Sequence, residues 1–202
     1  MKLITLGLIA TNIILSLYCF SNIEGFEKLF FVPNKIKGDH SQNYRFITHG
    51  FIHADAGHLL FNMITLYFFG REVEGGILPS FEFILFYLLA IVFSCLPAYQ
   101  KQKNNPDYKA VGASGAVSAV MFVLVLYAPW SVIYLKFIIP VYFILFATGY
   151  LIYSSYQSNY GEDNVAHDVH LWGMLFGIAY MFLLHPASLR TFINRVTDAP
   201  FF

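Results

Sequence analysis

The sequence predicts an all-α membrane protein, a bundle of six transmembrane helices in a single domain over residues 1–202, and three observations predict it. The chain is 57% apolar and only 12% charged, against roughly 25% charged residues in an average soluble domain. Six apolar runs approach the length of about 20 residues that a spanning helix requires: 3–20, 57–69, 81–99, 112–130, 132–153 and 169–184. The polar residues that interrupt these runs are few and gathered, with Ser114 in one cluster, His58 and Asn62 in a second, and His167 and His170 in a third.

Each run is bounded by residues that suit its ends. The first follows Lys2 and lacks a small-x-small cleavage site, and bulky Tyr18 precedes Cys19 where a lipoprotein site needs a small residue, so it reads as a retained helix. The connection 21–56 is long and rich in aromatics (Phe26, Phe30, Phe31, Tyr44, Phe46), the pattern of an amphipathic loop lying partly in the interface. The second run extends to Val73. Asn104-Asn105-Pro106-Asp107 marks a polar turn after the third, and the fourth opens at Gly112-Ala113-Ser114-Gly115. The stretch 154–164 turns acidic at Glu162 and Asp163, and the sixth run extends back to Val165.

Composition excludes several classes. Net charge is zero and no basic run exists, which removes nucleic acid as a partner. Cys19 and Cys95 both lie inside apolar runs, so they read as small core residues rather than a disulfide framework. A proton-coupled transporter would need acidic residues deep in its helices, and only Glu82 approaches such a place.

The three polar clusters carry chemistry. Ser114 sits between glycines where an apolar helix begins. Gly115, Ser118 and Ala119 would let helices pack closely, and the helix start would aim free N–H groups at a developing oxyanion. His58 and Asn62 are spaced i,i+4 on one helix face, suited either to interhelical hydrogen bonding or to donation toward a carbonyl oxygen. His170, Gly173 and Gly177 share a face of the last run, so the glycines would bring an imidazole against the serine helix. His167 lies one turn from His170 and is its rival as base.

A metal site is the rival use of the histidines. His49 and His53 are i,i+4, but Gly50 stands where a zinc protease carries glutamate, and Asp55 and Asp168 do not complete a ligand set. No metal and no cofactor are expected. Asp168 is two residues from His170 and projects from a different face, so a Ser–His dyad is expected rather than a triad.

A His-x-x-x-Asn segment, then Gly-x-Ser-Gly, then His-x-x-Gly-x-x-x-Gly on alternate helices of six resembles the rhomboid family of intramembrane serine proteases. The resemblance extends from Arg45 to Tyr180. Tyr44-Arg45 is similar to the family's aromatic-Arg motif, with Tyr44 replacing the usual Trp, and Thr48-His49 and His53 match further positions. It implies Ser114 as nucleophile, His170 as general base, and His58, Asn62 and the Ser114 backbone N–H around the oxyanion. It also implies a six-helix rhomboid-like bundle with a water-filled cavity, and single-span transmembrane proteins in the lipid bilayer as substrates.

The same resemblance places the amino terminus in the cytoplasm and the active site open to the extracytoplasmic side. Counting Lys and Arg on that assignment leaves five charges inside (Lys2, Arg71, Lys136, Arg190, Arg195) and seven outside (Lys28, Lys35, Lys37, Arg45, Lys101, Lys103, Lys109), which by itself favours the reverse. Size points to a prokaryotic plasma membrane. One position departs from the family: many members carry an aromatic residue one turn after the serine, and here that position is Ser118. Tyr156, Tyr160 or Trp172 are the expected substitutes for holding the base. The alternative function is that of a catalytically inactive, client-binding relative.

Overall fold

The computed structural model describes residues 2–135, 138–160 and 166–199. Lys136, Glu162, Asp163 and Val165, and the side chain of Tyr160, therefore lie outside the described residues. The molecule is mostly helical. Helix α1 spans Leu3–Ser21 and is followed by short helices α2 (Ile23–Leu29), α3 (Pro33–Gly38) and α4 (Arg45–Thr48). Helix α5 (Ala56–Thr65) runs on through a π turn, Leu66–Gly70, into α6 (Arg71–Val73). Then come α7 (Ser80–Gln102) and α8 (Ser114–Tyr127), strands β1 (Val132–Leu135) and β2 (Ile139–Tyr142), and helices α9 (Phe143–Tyr160), α10 (His167–Leu184) and α11 (Ala187–Thr197).

Among the described residues, α1, α7 and α10 are long and apolar enough to cross a membrane. Their outward faces match that solvent. On α7, Phe81, Leu85, Leu89 and Phe93 recur every four residues and are all exposed, a stripe that water would not tolerate and lipid would cover. The protein is an integral membrane protein.

The purely α expectation needs correction at the fifth apolar run, 132–153. Its first half is an antiparallel hairpin, paired from Val132↔Tyr142 to Leu135↔Ile139, and the helix starts only at Phe143. Pro140 explains the difference, because a mid-helix proline removes a hydrogen bond and clashes with the preceding turn. Val132, Ile133, Tyr134 and Val141 are residues that suit a pleated surface instead.

Helix α8 is the centre of the bundle. Eleven of its fourteen residues are buried, from Gly115 to Leu126, so it is apolar all round, as a helix surrounded by protein should be. Fourteen residues rise about 21 Å, short of a hydrocarbon core of about 30 Å. Helices α7 and α10 flank it, and glycine decides how closely. A Cβ on Gly173 would collide with the Gly115 carbonyl, and one on Gly177 would lie 2.5 Å from the Ala119 carbonyl oxygen. The small residues at i and i+4 on both helices thus let two backbones touch.

The far end of the bundle is tied by buried and half-buried polar groups. The Glu74 carboxylate accepts hydrogen bonds from Ile4 N–H (3.1 Å), Thr5 N–H (2.8 Å), the Thr5 hydroxyl (2.7 Å) and the Ser80 hydroxyl (3.1 Å), and Lys2 donates to its backbone carbonyl. These bonds satisfy two of the free N–H groups at the start of α1 and place a carboxylate at the positive end of its dipole. At the same end, Glu82 on α7 accepts from Tyr180 (2.9 Å) and meets His185 Nε2 at 2.5 Å, both at the end of α10. Glu82 is thus a helix-end tether rather than a residue of the bundle interior.

Gly177→Leu should push α10 away from α8 and lower stability by about 1–3 kcal/mol, whereas Gly7→Leu, on a face of α1 with nothing within 4 Å of the added Cβ, should be neutral. Thermal unfolding in detergent, followed by circular dichroism, checks the contrast; equal loss in both variants would remove the close-contact account.

Candidate active site

The segment leading into α8 is held by the loop that precedes α5. Phe31 and Ala110 exchange two backbone hydrogen bonds, each 3.0 Å, and Gly112 N–H donates to the His49 carbonyl (2.9 Å). Ala113 N–H meets His53 Nε2 at 3.4 Å, and His53 Nδ1 reaches the Ser16 hydroxyl of α1 at 3.1 Å. The loop is itself pinned by buried Arg45, which donates to the carbonyls of Phe30 (2.8 Å) and Glu27 (3.1 Å) and to Gln42 Oε1 (2.8 Å). Thr48 adds a bond to the Leu29 carbonyl (3.1 Å), and His49 Nδ1 one to the Arg45 carbonyl (2.8 Å). His49 and His53 thus reach the backbone just before Ser114, and Arg45 fixes the loop that carries them.

Ser114 is the first residue of α8, and no side chain caps that end. The N–H groups of a first helical turn have no intrahelical acceptor, and the dipole there is positive, so the start of α8 is a ready anion-stabilising surface. Glycine is required just before it. Gly112 has φ +120°, a conformation side chains rarely adopt, and a Cβ there would lie 2.7 Å from the His58 ring. The His58 imidazole is therefore laid against the backbone two residues before Ser114.

His170 comes from the first turn of α10. Its Nε2 lies 2.7 Å from Ser114 Oγ, hydrogen-bond distance for proton transfer between hydroxyl and imidazole. Glycines at 173 and 115 make this possible by removing the side chains that would hold the two helices apart. His167 is buried with its ring centroid 6.0 Å from that of His170 and 5.4 Å from that of Tyr153. It is His170 whose nitrogen reaches the serine.

Asp55 caps α5, accepting from His58 N–H at 2.8 Å, and Asn62 Nδ2 donates to the His58 carbonyl at 3.0 Å, which uses one of its two N–H bonds. Asp168 accepts from Val169 N–H (2.9 Å) at the start of α10, and His170 Nδ1 meets a different group, the Tyr150 hydroxyl. The His53 and His58 rings meet edge to face with centroids 5.0 Å apart; among the described residues no third His, Cys, Asp or Glu joins them in a metal-binding group.

The surroundings of the base differ from the sequence expectation. Tyr156 and Trp172 are exposed, 61% and 43%. Tyr150 of α9 instead brings its hydroxyl to 3.1 Å from His170 Nδ1. The sequence does not single out Tyr150, because 132–153 reads as one continuous helix and its facing toward the site depends on where the helix begins. The only available signal was the small residue at Ser118, which leaves space beside the base.

The fold and these contacts define a helical integral membrane protein with a serine–histidine pair set within its bundle. Residues 40–187 match the rhomboid domain family, and the chain belongs to the rhomboid family. It is also similar to the RHOMBOID-like protein 12, mitochondrial, of Arabidopsis thaliana, with 30% identity over 141 residues. That alignment covers 63% of this chain and 42% of the relative.

Gly112→Ala should cost about 1–3 kcal/mol through its positive φ and should displace His58 as well. A thermal unfolding midpoint equal to that of the unaltered protein would contradict this account of the approach to Ser114.

Proposed function

We propose that this protein is an intramembrane serine endopeptidase that cleaves peptide bonds in or near the transmembrane helices of single-span membrane proteins. The observation that carries the proposal is the 2.7 Å contact between Ser114 Oγ and His170 Nε2, made at the uncapped start of a helix buried in an apolar bundle. Membership of the rhomboid family, many of whose members are serine proteases, supports it.

His170 Nε2 takes the proton of Ser114 as the oxygen attacks the scissile carbonyl. The negative charge develops on the carbonyl oxygen, beside the N–H groups of the first turn of α8, and His58 and the second N–H of Asn62 supply further donors. His170 then returns the proton to the leaving amine, and water repeats the sequence on the acyl-enzyme. A substrate helix must unwind first, since its carbonyls are internally bonded. Under this proposal the bundle crosses the membrane six times, with α5 to α6 as one span and α8 and α9 as two more. The site opens to the extracytoplasmic side of a prokaryotic plasma membrane. Neither metal nor cofactor takes part.

Purified protein in detergent should cut a single-span substrate, with cleavage abolished in Ser114→Ala and His170→Ala. Asn62→Ala should lose about 10²–10³ in rate, the usual cost of one oxyanion donor. Substrates carrying helix-breaking residues near the scissile bond should be cut faster than those without. Folded wild type that leaves every such substrate intact would sink the protease reading in favour of a client-binding one, and cleavage surviving Ser114→Ala would remove the serine from the chemistry.

A further inference from the structure

His170 is bonded on both ring nitrogens, Nε2 to Ser114 Oγ at 2.7 Å and Nδ1 to the Tyr150 hydroxyl at 3.1 Å. We propose that Tyr150 is the positioning residue of the base: its phenol oxygen accepts from Nδ1–H and so holds His170 in the tautomer that leaves Nε2 open to the Ser114 proton. This rests on the reading of Ser114 and His170 as nucleophile and base.

The chemistry requires such a partner. A neutral imidazole that accepts at Nε2 carries its proton on Nδ1, and that N–H needs an acceptor. In many serine hydrolases a carboxylate fills the role, but here Asp168 is engaged with Val169 N–H. Tyr150 meets the requirement with a neutral oxygen. The ring centroids of Tyr150 and His170 are 6.3 Å apart and the planes tilted by 38°, so the contact is made through the hydroxyl and not by stacking.

Packing explains why the partner comes from α9. Ser118 lies one turn after Ser114 on the same face of α8, and its small side chain leaves the space that Tyr150 enters. Ser118 and Ser154 are the polar neighbours of the Tyr150 hydroxyl, and the buried Ser154 hydroxyl has no hydrogen-bond partner among the described residues, so a small rotation would let it accept from the Tyr150 O–H while the phenol oxygen receives Nδ1–H. The Tyr150 ring is stacked on Phe146, with planes 10° apart and centroids separated by 5.8 Å, which limits its rotation. In turnover the Ser114 proton moves to Nε2 and on to the leaving amine, while the Tyr150 proton stays where it is.

The test joins a spectroscopic readout to kinetics. Full-length protein labelled with ¹⁵N-histidine, with His170 assigned by difference from His170→Gln, should show neutral His170 protonated on Nδ1. Tyr150→Phe keeps the ring and removes the oxygen. It should mix the two tautomers and lower kcat about tenfold, the worth of one hydrogen bond, with KM within about twofold and an unfolding midpoint near that of wild type. Wild-type His170 protonated on Nε2, or Tyr150→Phe with unaltered tautomer and kcat, would overturn the proposal. Should Tyr150→Phe fail to fold, the wild-type spectrum decides alone. Cleavage that survives Ser114→Ala, or a wild type that cleaves nothing, would instead count against the protease reading, and the tautomer result would still stand or fall on its own.

Discussion

The contact between Ser114 and His170 depends on two helix backbones being in contact. Gly115 and Ala119 of α8 meet Gly173 and Gly177 of α10 so closely that a methyl group on either α10 glycine would strike an α8 carbonyl. Lipid gives no hydrophobic reward for bringing apolar helices together, so association in a membrane relies on close packing between small residues and on polar contacts. The glycines supply the first and thereby create the second. With the axes this near, the first turn of α10 lies beside the first turn of α8, and His170 Nε2 falls 2.7 Å from Ser114 Oγ.

A second constraint acts on the backbone just before the serine. Phe31, His49 and His53 each bond to the stretch between Ala110 and Ala113, and Arg45 fixes the loop they belong to. The polar side chains of this loop therefore work at one remove from the serine. They hold the start of α8 uncapped and presented, with His58 against Gly112. Tethers at the other end of the bundle, Glu74 to α1 and Glu82 to α10, lie far from that work: His185 is fifteen residues from His170, about 22 Å along α10.

How much of this was legible in the sequence follows from the range of each signal. The i,i+3,i+7 pattern of His170, Gly173 and Gly177 is a statement about one helix face, and periodicity reads faces directly. The membrane character and the limits of α1, α7 and α10 follow from long apolar runs. The hairpin within 132–153 was hidden because Val, Ile and Tyr are as apolar in a strand as in a helix, and only Pro140 signalled the break. Tyr150 was hidden for a related reason. Its facing depends on where α9 begins, and the hairpin moves that start to Phe143. The roles of Asp55 as a helix cap and of Asp168 as a partner of Val169 N–H were likewise beyond spacing alone, since a carboxylate near a helix start suits capping and catalysis equally.

The central claim is that Ser114 is made nucleophilic by His170. Its most direct measurement is the intact mass of the detergent-solubilised protein after exposure to a fluorophosphonate, with the modified residue mapped by peptide sequencing. The account predicts a single adduct on Ser114 in the wild type and none in His170→Ala of equal thermal stability. An adduct that forms as fast without His170, or a Ser114 that stays unmodified in folded wild type, would contradict it.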